Sequence, residues 1–282
     1  MIDYFDKITV VLISYKSKKK IKNFLKNISN KNRILIIENS NEKSIKNEVY
    51  GQNIKLYFVN NKGYAGSINY ARKMVKTEYF FVFNPDVEGI NDSIINQFYV
   101  TAKNLKDNFA CMGPRYSNIS SKTLKQSDEN KEIDTLPSIS GASMFFNIKN
   151  FDLIGGFDEN FFLYFEETDY CLRSLKQGFK SYQINSIKIK HYVGTSIEYE
   201  NENEKEKLKN LYIWHFIWSK YYFNRKHYGS FRSIVKFSPI LIRTFLKMIY
   251  YKITNNNRFE KFNNRYNGLI SSIRGKNSSK RI

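Results

Sequence analysis

EYFFVFNPDVE, residues 78–88, is the stretch that decides the fold. From Tyr79 to Phe83 every residue is apolar, with no alternation. A short unbroken run rich in aromatic and β-branched residues predicts a strand buried on both faces. The run stops at Asn84-Pro85-Asp86, where a stiff turn follows. Three other runs have the same character: ITVVLIS (8–14), RILIIEN (33–39) and IKLYFVN (54–60). Residues 18–29, 41–50 and 64–76 lie between them and can form helices. Strand-helix alternation predicts a mostly parallel, Rossmann-like sheet with helices on both faces. A ligand site in such a sheet lies beyond the carboxyl ends of its strands. Ser14, Glu38-Asn39-Ser40, Asn60-Asn61 and Asn84-Pro85-Asp86 fall at those ends.

Further along, ISGASMFFNI (139–148) predicts another strand, EETDYCLRSLKQ a helix ending at Gly178, and SIKIKH (186–191) a short strand. Residues 115–137 are polar and aperiodic and predict a mobile loop. From about residue 203 the pattern turns helical. ENEKEKLKNLYIWHFIWSKYYFNRKH predicts one long helix. FRSIVKFSPILIRTFLKMIYYKI predicts a second, which Pro239 should kink or split. RGKNSSKRI at the end is expected to be a disordered basic tail. The expected division is a catalytic domain over 1–202 and a helical basic extension over 203–282.

The chain has 282 residues, 41% hydrophobic and 16% aromatic, which supports a sizeable core and excludes global disorder. Its net charge of +20 suits an anionic partner. Residues 205–282 hold 18 Lys/Arg and 2 Asp/Glu, so the basic field belongs mostly to the extension. There Arg232, Lys236, Arg243 and Lys247 share one helical face, with Ile, Leu, Phe and Met on the rest. Such a helix can pack on the domain with solvated cations, or lie on anionic lipid. Charge and apolar bulk together favour the lipid. Two cysteines, Cys111 and Cys171, are too few for a disulfide framework and fit a reducing compartment. No signal peptide or spanning run is recognisable. The expected location is the cytoplasm, peripheral to the inner face of the cell membrane.

Three stretches carry candidate chemistry. NKGYAGSINYA (61–71) brings Gly63 and Gly66 to a helix entrance, which suits either an anion or a plain tight turn. Asp86, delivered to a strand end, suits a divalent cation beside phosphates, or an Asx turn. FFLYFEETDYCLR (161–173) gathers Glu166, Glu167 and Asp169 behind an aromatic run. Acids in a first helical turn favour the dipole, and Asp169 with Arg173 makes an i, i+4 pair. That explains one or two of them. Glu167 is turned about 100° from the Glu166–Asp169–Arg173 face. Among aromatic neighbours its pKa should rise, as a general base requires. His191, at a strand end before Gly194, is either a structural hydrogen-bonder or a metal or phosphate ligand.

VVLISYKS, ILIIENSN, NKGYAGSINYA, FNPDVE, SGASMFF, GGFDENFFLYFEETDYCLR and HYVGTS, in this order over residues 8–196, resemble a family 2 glycosyltransferase of the bacterial rhamnosyltransferase-like branch. The resemblance implies a glycosyltransferase-A fold, a nucleotide-diphosphate sugar donor, a divalent metal (Mn²⁺ or Mg²⁺) and inversion at the anomeric carbon. It implies donor contacts from Ser14, Glu38, Asn39, Gly63, Asn69, Asn84 and Asp86. Glu38 stands where the family usually has Asp. Asn84-Pro85-Asp86 stands for the family's Asp-x-Asp, leaving Asp86 as the main acidic metal ligand, with His191 downstream. Glu167 matches the family's catalytic base. Glu166, Asp169 and Arg173 would be supports or acceptor contacts. The implied reaction moves a sugar, rhamnose by the branch, onto a glycan or lipid-linked glycan in surface polysaccharide synthesis, such as lipopolysaccharide or capsule.

Two other classes were weighed. A nucleic-acid-binding protein would spread its cations over the sheet face, whereas the first 204 residues hold 28 Lys/Arg against 24 Asp/Glu. No nucleic acid is therefore expected. A catalytically silent family member acting as a partner subunit is the other alternative, kept open by Asn84 and Glu167.

Overall fold

The protein is described by a computed structural model over residues 4–120 and 123–281. It divides into two compact units. The first comprises residues 1–62, 66–157 and 167–198; the second comprises 63–65, 158–166 and 199–282.

The first unit is built on a nine-stranded sheet. In chain order its elements are β1 (Ile8–Ser14), α1 (Lys18–Leu25), β2 (Arg33–Glu38), β3 (Ile54–Phe58), α2 (Gly63–Met74), β4 (Tyr79–Phe83), β5 (Val87–Glu88), α3 (Asp92–Asn104), β6 (Cys111–Tyr116), β7 (Ile133–Leu136), β8 (Ser143–Asn147), α4 (Ile148–Ile154), α5 (Glu166–Lys176) and β9 (Ser181–His191). The strand order is β3-β2-β1-β4-β8-β6-β9-β5, with β7 on β9. The β3-β2-β1-β4 half is parallel, as the strand-helix alternation predicts. Beyond β4 the sheet is mixed: β8 runs antiparallel to β4 and β6, and β6 parallel to β9.

Every residue of β4 is buried. Phe80 stacks on Phe146 of β8, with ring centroids 4.8 Å apart. On the opposite face Phe81 meets Phe145 edge-on at 5.3 Å. Period-2 alternation thus feeds two cores. One takes in Ile21 and Phe24 of α1 and Ile95 and Phe98 of α3. The other stacks Phe151 of α4 against Tyr170 of α5 at 5.4 Å. Each fully buried Phe contributes roughly 1.5–3 kcal/mol. Both cysteines are buried and free, their sulfurs 3.7 Å apart.

Several local expectations need correction. Residues 43–47 form a short 3₁₀ turn in place of the 41–50 helix. The strand expected over 186–191 runs from Ser181. The loop expected over 115–137 is largely ordered; of it, residues 121 and 122 lie outside the described residues. It contains the end of β6 and all of β7. Between them Gln183 accepts from Ser127 N at 2.8 Å, Asn185 donates to the Asp128 and Lys131 carbonyls at 2.8 Å, and Arg115 donates to Ser127 O at 3.0 Å. Polar side chains from the sheet thereby hold the segment, alongside Ile119, Leu124 and Ile133, which pack against the core.

The second unit contains three helices: α6 (Glu202–Tyr228), α7 (Ser230–Ile253) and α8 (Phe259–Ile273). The side chain of Asn201 caps α6 by accepting from Glu204 N at 2.9 Å. α7 is not split: it runs unbroken through Pro239. α8 approaches α6 so closely that a Cβ on Gly268 would lie 2.5 Å from the Trp214 carbonyl oxygen.

The C-terminal segment is docked, contrary to the disorder its composition suggests. Trp218 Nε1 donates to Lys276 O at 3.0 Å. His215, fully buried, has Nε2 2.9 Å from Lys280 O and Nδ1 2.8 Å from Ser278 Oγ. A carbonyl only accepts, so Nε2 carries the proton and Nδ1 accepts from the Ser278 hydroxyl. Burial pushes the His215 pKa down to about 4. The sign follows directly: a depressed folded pKa gives stability that is complete above the unfolded value of about 6.5 and falls away as pH drops toward 4. The whole effect is about 3 kcal/mol. Thermal melts of wild type between pH 7 and 4 should therefore fall more steeply than those of His215→Gln. Parallel curves would contradict this role for His215.

Candidate active site

The candidate residues of the first unit lie at the ends of its strands. β1 and β2 are in register from Thr9↔Arg33 to Ser14↔Glu38, so Ser14 and Glu38 finish side by side. Ser14 Oγ donates to Glu38 Oε2 at 2.5 Å, and Ser40 donates to Oε1 through its backbone N–H and its hydroxyl. Glu38 is fully buried, with both oxygens engaged. Neighbouring Asn39 accepts from Ser67 Oγ at 3.0 Å, linking the β2 end to α2.

Asp86 and His191 are far apart in sequence but meet in space. β4 delivers Asn84-Pro85-Asp86, and the two-residue β5 then pairs antiparallel with β9, Val87 opposite His191. Tyr192 N donates to Asp86 O at 3.0 Å and fixes the corner. His191 Nε2 lies 3.4 Å from Asp86 Oδ1. Asn84 holds the turn by donating its N–H to Ala142 O at 2.9 Å. Asp86 is 2% exposed, yet neither carboxylate oxygen has a hydrogen bond of good geometry among the described residues, and neither does His191 Nδ1. Burial raises the Asp86 pKa, but His191 and then Ser196 outweigh it, and the carboxyl ends below its ordinary value. Ser196 was not singled out in the sequence, although the small hydroxyls after Gly194 point toward it.

The acidic cluster starts α5. Asp169 is fully buried, and Arg173 Nε donates to its Oδ2 at 2.8 Å. The same guanidinium donates to Ile154 O at 2.7 Å and to Gly156 O. Asn69 of α2 brackets the next peptide, donating to Phe157 O at 2.9 Å and accepting from Phe157 N at 3.0 Å. These three side chains hold the Gly155–Phe157 bend. Glu166 is buried. Glu167 is half-buried, and enclosure of its carboxyl raises its pKa against the opposing pull of its own N–H and of Thr168. Thr168 Oγ1 lies 3.4 Å from Ser138 Oγ. A carboxylate with a raised pKa is a better proton acceptor.

Gly63 and Glu166 group with the second unit, together with the 158–166 segment. Tyr64 N donates to Phe162 O at 2.9 Å. Gly63 has φ +79°, and a Cβ there would lie 2.0 Å from the same oxygen, so no other residue fits. Its glycine therefore has a packing reason.

A divalent ion is the implied cofactor, and the donor set was tested against it. Among the described residues no group of three His, Cys, Asp or Glu is arranged to hold a metal. Asp86 and His191 supply one oxygen and one nitrogen donor, buried and under-satisfied. Such a pair fits a cation that also keeps water and substrate phosphate oxygens.

No family model matches the chain. Over 211 residues it is 24% identical to the low-salt glycan biosynthesis hexosyltransferase Agl10 of Haloferax volcanii, covering 66% of this chain and 67% of that one. The solved structure of GalNAc-T7 with UDP, GalNAc and Mn²⁺ superposes with a TM-score of 0.55 at 13% identity, over 96% of this chain and 58% of that one. The chain thus spans little more than half of GalNAc-T7. The mannosyltransferase PcManGT of Pyrobaculum calidifontis, in complex with GDP-Man and Mn²⁺, gives 0.56 at 11% identity, over 94% and 85%. The fold is that of a GT-A-like glycosyltransferase. These solved structures show the fold, and the sequence relative is a hexosyltransferase.

Proposed function

We propose that the chain is an inverting glycosyltransferase. It would move a sugar, rhamnose by resemblance, from a nucleotide-diphosphate donor to a glycan or lipid-linked glycan in bacterial surface polysaccharide synthesis. The observation that carries the reading is the half-buried Glu167, its pKa raised, at the start of α5. Glu167 would take the proton from an acceptor hydroxyl as that oxygen attacks the anomeric carbon. The new C–O bond forms as the bond to the diphosphate breaks, and the diphosphate leaves with the electron pair. Asp86, kept ionised by its lowered pKa, and His191 would hold the divalent ion. That ion would supply charge stabilisation for the departing diphosphate. Ser14, Glu38 and Asn39 would shape the nucleotide side, with Glu38 acting through Ser14 and Ser40, since its own oxygens are engaged. Asn69, Asp169 and Arg173 would position the bend that walls the acceptor side.

The membrane part of the reading is supported by α7. Phe231, Val235, Ile242, Leu246 and Ile253 are between 58% and 80% exposed. They lie opposite its buried Ser233, Phe237 and Thr244. The helix carries five Lys/Arg and no acid. A second copy docking there would oppose like charges with no acid to pair them, so anionic lipid is the better partner. No described helix is long and apolar enough to cross a membrane.

Nucleoside diphosphate release from a panel of UDP-, dTDP- and GDP-sugars, with Mn²⁺, Mg²⁺ or EDTA, tests the transferase. Metal-stimulated turnover of one donor is expected. Absence of donor binding across the panel would sink it in favour of a silent partner subunit. Co-sedimentation with phosphatidylglycerol vesicles but not phosphatidylcholine vesicles tests the membrane part; equal or absent binding would contradict it.

A further inference from the structure

The second unit contains a cavity of about 250 Å³ lined by Tyr164, by the α6 residues Tyr212, Ile213, Phe216 and Ile217, and by Lys261 and Arg265 of α8. Its aromatic wall is held open. Tyr164 meets Phe216 edge-on at 5.5 Å and Tyr212 at 6.4 Å, yet Tyr164 and Phe216 remain 36% and 42% exposed. Tyr164 and Phe165 both have left-handed backbones, φ +69° and +71°, a conformation that costs each about 1–2 kcal/mol. Ser219 Oγ, donating to Leu163 O at 2.7 Å, helps to enforce it. Strain of this kind, one residue before Glu166, is seldom kept without a use.

The cationic wall is equally unusual. Arg265 is on the face of α8 that carries the buried Asn264, Gly268 and Leu269. Its Nε is buried without a hydrogen-bond partner. Among the described residues the side chains of Arg265 and Lys261 form no ion pair or hydrogen bond. Burial, and then the neighbouring Arg243, lower the Arg265 pKa. A bland account is that Arg265 lays its stem on the aromatic rings and turns its head to water. That account leaves the buried Nε unsatisfied, at a cost of about 1–3 kcal/mol or more. An anion entering the cavity would satisfy it, and a guanidinium matches phosphate oxygens in a fork.

We propose that this cavity is a subsite for the phosphate ester of a phosphate-linked glycan, with Lys261 and Arg265 on the phosphate and Tyr164 and Phe216 against the adjoining ring or chain. It deepens the transferase reading, on which the identity of that ligand as the acceptor rests. The ester could belong to a lipid carrier or to a soluble sugar phosphate, and the probes separate the two.

Calorimetric titration of the full chain with decyl phosphate, glucose 1-phosphate and decyl glucoside tests the subsite. At least one phosphate ester should bind, and the phosphate-free glucoside at least tenfold more weakly. Preference for decyl phosphate assigns the lipid source; preference for glucose 1-phosphate assigns the soluble one. Arg265→Met should weaken the preferred ester about tenfold, with partial recovery in Arg265→Lys. Lys261→Met, at an exposed position, should weaken it about threefold and keeps the test valid if Arg265→Met does not fold. Equal affinity for ester and glucoside, no binding of either ester, or undiminished binding in folded variants would overturn the proposal. Nucleoside diphosphate binding is followed in parallel. Its absence would count against the transferase reading and not against the subsite.

Discussion

Glu167→Gln should lower turnover by about 10³, within the 10²–10⁴ range typical of a lost general base. Gln keeps the shape and removes the proton acceptor. Donor affinity should stay within about threefold of wild type, because Glu167 would act on the acceptor hydroxyl. Initial rates give the first number and calorimetric titration of the donor the second. In wild type the rate should fall as pH drops through the raised Glu167 pKa, since only the carboxylate accepts a proton. That acid limb should lie above the ordinary Glu value of about 4.3. It should vanish from the residual activity of Glu167→Gln. Glu166 is the control: it is buried where Glu167 is only partly so, and the larger loss is expected at Glu167. A larger loss in Glu166→Gln would move the base by one residue.

Asp86→Ala should act differently. It leaves His191 without its acidic neighbour 3.4 Å away and would leave the proposed cation one protein donor instead of two. The Mn²⁺ concentration for half-maximal rate should rise by at least tenfold, and turnover at fixed metal should fall by about 10². A metal titration of the rate separates these effects. An unchanged metal requirement would mean that the Asp86–His191 pair does not hold the ion. His191→Ala should shift the metal titration in the same direction. If the two groups share one ion as proposed, the double variant should lose less than the product of the single losses.

The parallel half of the sheet was legible because its strands are short continuous apolar runs, and such runs need burial on both faces. Asp86 and His191 were legible singly as polar residues at strand ends. Their meeting was not, because β5 is only two residues long and its partner lies about a hundred positions away. The 115–137 stretch looked mobile because its apolar residues are few and two of its polar anchors, Gln183 and Asn185, are remote in sequence. β6 was hidden by Gly113 and Pro114, which interrupt its apolar run. The terminal segment looked disordered for a similar reason. Its order comes from the polar edges of His215 and Trp218, which are buried and need partners. Arg265 gave no signal among the many cations around it; only its burial without a partner marks it.

The central claim is a single displacement in which an acceptor hydroxyl, deprotonated by Glu167, attacks the anomeric carbon directly. Proton NMR of the product formed from the donor that the panel identifies tests it most directly. The product should carry an anomeric configuration opposite to that of the donor from the first turnover. Retention of the donor's configuration would contradict the claim.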